Sequence, residues 1–183
     1  MKKINRVKRA TQAEVYRVKT QTMIKIVEYK SGDQPHFDRL NREWIEKYFW
    51  VEPMDHYVLT KPEEAILNKG GSILFALFDN VVAGVVALIR VNDDTFEFAK
   101  MGVDENFRRR GIAEALSHAA LEKAKQLNGK KIVLFSHTSL NGAIQLYRKL
   151  GFIEVPLDSS EYKRSNIKME LSLDPAVKKD VGM

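Results

Sequence analysis

The chain of 183 residues has no cysteine. That excludes disulfides, thiolate nucleophiles and cysteine-ligated metal, and it suits a reducing cytoplasm. Histidine is scarce as well. His36, His56, His118 and His137 fall in no metal-ligating spacing, so no metal is expected. No apolar run approaches the roughly 18–20 residues that span a bilayer, and the N-terminus lacks the apolar centre of a secretory leader. A membrane is not an expected partner. An excess of either charge is also missing from most of the chain. Residues 1–22 carry seven Lys and Arg against Glu14 alone, which accounts for the whole formal charge of +6. A nucleic-acid binder would spread its basic footprint over the folded domain, so nucleic acid is not expected either. Residues 1–22 read as a basic extension, 23–173 as one domain and 174–183 as a polar tail.

What the domain does contain is a regular alternation of strand and helix patterns. Met23–Tyr29 alternates like a half-buried strand and ends at Ser31-Gly32. Asp33 and Pro35 open a helix with an apolar side of Phe37, Leu40, Trp44 and Tyr48. An irregular stretch follows, with a short helix over Pro62–Asn68. Ser72–Phe78 and Val81–Arg90 are apolar runs separated by Asp79-Asn80, a two-residue hairpin signal. Thr95–Val103 is the third strand of this meander. The pattern then changes to helix over Gly111–Leu127, strand over Lys131–Ser136, helix over Leu140–Leu150 and strands from Gly151-Phe152 and over Ile167–Leu173. The expected class is α/β (α+β), a single domain with a mixed, mostly antiparallel central sheet flanked by helices.

The segment Val103-Asp104-Glu105-Asn106-Phe107-Arg108-Arg109-Arg110-Gly111-Ile112-Ala113 ends a strand, passes through a basic loop and starts a helix on small residues. Amides at a helix start have no partners within the helix and face outward at a positive dipole end, which makes an anion site. Gly111 and Ala113 would let a pyrophosphate approach the backbone. The segment lacks the ending of a Walker loop and the three-glycine spacing of a Rossmann turn. A solvated basic turn before a glycine is the plain alternative.

The loop resembles the acetyl-CoA signature R/Q-x-x-G-x-G/A of the GNAT superfamily, with Glu105 where that family commonly has proline. Glu97–Val103 resembles the family's E-L-x-K-M-x-V strand. Asn141–Phe152 is similar to its N-x-x-A-x-x-L-Y-x-x-x-G-F segment. The resemblance covers about residues 23–173. It implies acetyl-CoA as co-substrate, held by Arg108, Arg109, Arg110, Gly111, Ile112 and Ala113, with Met101, Gly102 and Val103 along the pantetheine and Asn141 near the cofactor. It implies Tyr147 as the general acid toward the departing thiolate. Glu97 is the candidate base, acting through water, with Glu52 as the alternative. The acceptor pocket is expected from 41–52 and 159–166, with Arg42, Trp44, Tyr48, Tyr162 and Arg164 as contacts. Alternation along 162–166 would bring Tyr162, Arg164 and Asn166 together to grip a carboxylate. The activity implied is acetylation of a small, anionic amine, and a homodimer is compatible with it. The alternatives are a protein, peptide or aminoacyl-tRNA acceptor, the last using the basic extension as an RNA arm, and a non-catalytic acyl-CoA-binding module.

Overall fold

The computed structural model describes residues 24–157 and 162–174. The basic extension 1–22 lies outside the described residues, as do all but Asp174 of the polar tail and 159–161 of the expected acceptor segment.

Seven strands form one sheet: β1 (Ile24–Glu28), β2 (Ser72–Phe78), β3 (Val81–Arg90), β4 (Thr95–Val103), β5 (Lys131–Ser136), β6 (Ile153–Val155) and β7 (Ile167–Ser172). Their order is β1-β2-β3-β4-β5-β7-β6. Every neighbouring pair is antiparallel except β4–β5. The helices are α1 (Gln34–Tyr48), α2 (Pro53–Thr60), α3 (Pro62–Ala65), α4 (Ile112–Gln126) and α5 (Asn141–Lys149). Two cores result, one on each face of the sheet. Phe37, Leu40, Ile45, Leu59 and Ile66 pack with Ile73, Phe75, Val85 and Ala87 under α1–α3. Ile112, Leu116, Ile144 and Tyr147 pack with Leu74, Val86, Phe96 and Phe98 under α4 and α5. Covering on both faces explains why β2 and β3 read as continuous apolar runs instead of alternating ones.

The local signals act as expected where they are chemical. Asp79 and Asn80 adopt φ of 50° and 66°, the left-handed pair that a tight hairpin requires. Gly111 caps α4 at φ 78°, and Asn128 ends it at φ 62°. The expected apolar side of α1 is corrected. Its buried residues are Phe37, Leu40, Asn41 and Ile45, a stripe following the 3.6-residue period, while Trp44 and Tyr48 stand at its edge. Asn41 tolerates burial because its amide donates to the Phe37 carbonyl (2.9 Å) and accepts from Trp44 Nε1. The stretch read as irregular holds α2. There Glu52 is the N-cap, Pro53 the first helical residue, and Asp55 returns its carboxylate to the Glu52 amide (3.0 Å).

Candidate active site

The site begins with a ladder that stops. Thr95, Phe96 and Glu97 of β4 pair in parallel with Lys131, Ile132 and Val133 of β5, and no further pairs form. β4 continues to Val103 and β5 to Ser136, so the two strands part and leave a cleft of about 550 Å³ between them. The edge of β4 facing β5 beyond Glu97 is outside any ladder, so its backbone groups are available to a ligand.

A second irregularity shapes the cleft. On the other side of β4, Ala99 pairs with Ala87 and Gly102 with Val85, so Lys100 and Met101 together oppose Val86 alone. This bulge has Lys100 at φ 52°. Bulges bend a strand and re-aim a side chain. Here Ala99 faces the α1–α3 side, and Lys100, the next residue, turns to that side too, where its ammonium donates to Asp55 of α2 (2.8 Å). Met101 returns to the α4 side. Gly102 then passes so close beneath α1 that a Cβ would stand 2.5 Å from the Leu40 carbonyl oxygen.

At one end of the cleft lies the basic loop. Arg108 and Ala113 line the cleft. Gly111 holds its left-handed conformation in open space, so the glycine serves the backbone turn and leaves the start of α4 uncovered. Arg109 and Arg110 are not among the lining residues; the Arg110 guanidinium lies over the rings of Phe78 (4.8 Å) and Phe107 (5.8 Å). Ile112 is buried in the core under α4. The turn lacks proline but is tied to α1 by charge. Asp104 pairs with Arg39 (2.9 Å), and Glu105 pairs with Lys47 and with Arg108 (3.2 Å). Burial works against the Asp104 charge, yet the Asn106 amide and Arg39 hold its carboxyl below the ordinary range.

α5 supplies the opposite wall. Tyr147 is buried against Phe98 and Phe152 and borders the cleft. Burial pushes its phenol up to about 12. Asn141 is also at the cleft, as the first residue of α5; the N-cap is Leu140, so Asn141 is no cap. Glu97, Met101, Gly102 and Val103 line the β4 side of the cleft.

Of the residues expected to contact an acceptor, Trp44, Tyr48, Tyr162 and Arg164 line the cleft and Arg42 does not. Arg42 is spent along the α1 surface on Asp38 (2.8 Å) and Glu46 (3.6 Å), because its position falls on the charged side of that helix. Asn166 is also away from the other two. Residues 162–166 form a turn before β7, and the Asn166 side chain joins Thr138 through two hydrogen bonds (2.8 and 2.9 Å). The fork of Arg164 is engaged. Nη1 and Nη2 bind Asp55 (2.6 and 2.9 Å), and Nη1 also reaches Glu52 (3.2 Å). Glu52 accepts the amides of Lys163 and Arg164 besides, so it braces this turn against α2 and has no oxygen clear for base duty. Lys100 completes the cluster by donating to the Tyr162 hydroxyl (2.8 Å).

Two cations and two carboxylates therefore share one buried cluster. Burial opposes the Asp55 charge, but Arg164, Lys100 and the Glu52 amide outweigh it and hold that carboxyl low. Lys100 is pushed down by its own burial more than Asp55 pulls it up, with Arg164 adding repulsion. The two directions agree physically: the two-toothed Arg164 contact satisfies Asp55 first, and Lys100 receives the remainder.

Sequence reasoning missed Lys100, Asp55 and His137. The nearest signal for Asp55 was its position three residues after a glutamate and two after a proline. Among the described residues, no three His, Asp or Glu side chains converge as a metal-ligating group.

Comparison with known proteins bears on this geometry. A family model described as the acetyltransferase (GNAT) family matches residues 37–152, more than half of the chain. N-acetylaspartate synthetase of Rattus norvegicus is 35% identical over 105 residues, which is 56% of this chain and 35% of that protein. The chain thus spans about a third of the length of that curated relative. An uncharacterized N-acetyltransferase of Bacillus subtilis (strain 168), YvbK, is 28% identical over 116 residues, 62% of this chain and 75% of the other. Among solved structures, an acetyltransferase of the GNAT family from Staphylococcus aureus Mu50 shares the fold. Its TM-score is 0.75 at 22% identity, covering 83% of this chain and 100% of that one.

Proposed function

We propose that this chain, which belongs to the acetyltransferase (GNAT) family, transfers the acetyl group of acetyl-CoA to the amine of a small acceptor that also carries a carboxylate or similar anion. The observation that carries this reading is the parting of β4 from β5 after Glu97, with Tyr147 on one wall and the start of α4 at one end. An uncovered helix start and the Arg108 side chain suit the pyrophosphate of coenzyme A. The small residues Ala113 and Gly142 along the cleft leave width for a pantetheine arm.

In this reading the unpaired edge of β4 near Met101–Val103 donates to the thioester oxygen as it gains charge, a contribution on the order of 3–4 kcal/mol in acyl transfer. Glu97 takes the proton of the ammonium acceptor, directly or through water. Tyr147 keeps its proton across the working pH range. Full transfer to a thiolate whose acid lies near ~8.5 is uphill for so weak an acid. Hydrogen bonding to the departing sulfur is the role its burial favours, with transfer following as the sulfur leaves water.

Support for an anionic acceptor comes from two cationic side chains, Lys100 and Arg164, that line the cleft while their carboxylates stand behind them. The name of the N-acetylaspartate synthetases points the same way. Because Asp55 and Glu52 occupy the Arg164 fork and balance the cluster's charge, the acceptor meets only its cationic side and not a bidentate grip. The test is a panel of amines with acetyl-CoA, read by release of free thiol. L-Aspartate, L-glutamate and related amino acids should outperform spermidine and aminoglycosides; the reverse ranking would sink the anionic acceptor, and no thiol release with any amine would sink the enzyme reading for this chain alone.

A further inference from the structure

The cationic groups at the acceptor end are matched by carboxylates, but one donor beside them is not. His137 follows the last residue of β5, across the cleft from Glu97–Met101, and is half-buried there. Its ring stands edge-on to Phe49, with centroids 5.3 Å apart. Its Nδ1 accepts a hydrogen bond from the backbone N–H of Ser139 (3.1 Å) and meets the Ser139 hydroxyl at 2.7 Å. A backbone amide can only donate, so Nδ1 must present its lone pair. In the neutral imidazole the proton then sits on Nε2. Among the described residues Nε2 has no hydrogen-bond partner. The segment Ser136-His137-Thr138-Ser139 thus fixes one tautomer and leaves an N–H without a partner on a residue that lines the cleft.

We infer that His137 determines acceptor specificity by donating its Nε2–H to the anionic group of the acceptor. This rests on the anionic-acceptor reading above. The same geometry removes His137 from proton abstraction, since one nitrogen already carries hydrogen and the other is taken by Ser139. The aromatic contact with Phe49 and the Ser139 bonds hold the ring at two points, so little ordering remains for the substrate to impose.

Two measurements test this on the full chain. With coenzyme A at saturation, long-range proton–nitrogen correlation spectra should show His137 as the Nε2–H tautomer; the Nδ1–H tautomer would overturn the inference. His137→Phe keeps a ring against Phe49 without a donor, and His137→Gln restores an N–H at a similar reach. With L-aspartate or the best acid-bearing amine of the panel, His137→Phe should raise acceptor KM by roughly tenfold or more, as loss of a hydrogen bond to a charged group does. His137→Gln should recover most of it. The KM for acetyl-CoA should not move, and an acceptor without an anion should be affected little. If the wild type turns over no acid-bearing amine, the anionic-acceptor reading falls and takes this with it. If it does and His137→Phe matches wild type, only the His137 assignment is wrong.

Discussion

Replacing Asp55 by asparagine tests how far the buried cluster supports the fold. The site has no measurable solvent contact, at 0% exposure. Oδ1 accepts from Lys100 (2.8 Å) and Arg164 Nη2 (2.9 Å), and Oδ2 from Arg164 Nη1 (2.6 Å) and the Glu52 amide (3.0 Å). Whichever way an asparagine amide turns, two of these donors would face an NH₂. Arg164 and Lys100, at 8% and 3% side-chain exposure, would then keep only Glu52 and the charge of Glu97, respectively, as counter-charges. Breaking a buried pair on one side costs about 3–5 kcal/mol, a large part of the ~5–15 kcal/mol that holds a domain folded. Urea unfolding followed by circular dichroism at pH 7 should show a deficit of that size with an unchanged slope.

The deficit should also depend on pH in a definite sense. Asp55 has a folded pKa below its unfolded one, so its contribution is complete above about 4 and is lost as pH falls through the folded value. Wild type and variant should converge in acid. Lys100 is depressed on folding, and losing Asp55 depresses it further, so the unfolded variant binds more protons up to about pH 10. The variant should therefore regain stability as pH rises toward that value. Adding Lys100→Met should recover part of the loss, because the orphaned ammonium is gone. A deficit under ~1 kcal/mol at pH 7, or one that fails to shrink in alkali, would refute this account of the cluster.

Three further outcomes follow from the cleft. Gly111→Glu puts an anion and a strained left-handed backbone at the start of α4, so calorimetry should show coenzyme A binding weakened more than about tenfold; equal affinity would remove the loop from the cofactor site. Tyr147→Phe should lower kcat while leaving coenzyme A affinity nearly unchanged, and the wild-type kcat profile should show no loss from tyrosine ionisation below about pH 11, given a phenol near 12. Gly102→Ala drives a methyl to 2.5 Å from the Leu40 carbonyl and should destabilise the chain by about 1–3 kcal/mol in thermal or urea unfolding, with an unchanged midpoint refuting the close approach.

The parts of the fold legible from sequence were those set by local chemistry. Asp79-Asn80 and the apolar runs beside it bounded β2 and β3 to the residue, and Gly111 and Asn128-Gly129 bracketed α4. The helix α2 was not legible because its eight residues lack an apolar period; its signal was the cap Glu52-Pro53-Met54-Asp55. The cleft walls formed by β4, Tyr147 and the loop were visible as motifs. The buried charge cluster beside them was not, because its contacts join residues far apart: Asp55 to Lys100 and to Arg164 are 45 and 109 positions apart. Alternation along 162–166 assumed a strand where a turn stands, which is why Asn166 parts from Tyr162 and Arg164.

The bulge on β4 is a matter of counting and not of residue identity. No point substitution between Ala99 and Gly102 takes a residue out of that stretch; only deletion does. Omitting Met101 would restore strict alternation, set Lys100 opposite Val86, and drive an ammonium into the apolar layer beneath α4 while Asp55 lost its lysine. Omitting Lys100 would leave the apolar layer intact and empty only the position beside Asp55. Two shortenings of equal length, one residue apart, should thus differ sharply: the first failing to fold, the second folding with an altered cleft wall. In the natural chain this segment is expected to tolerate changes of letter far better than changes of length.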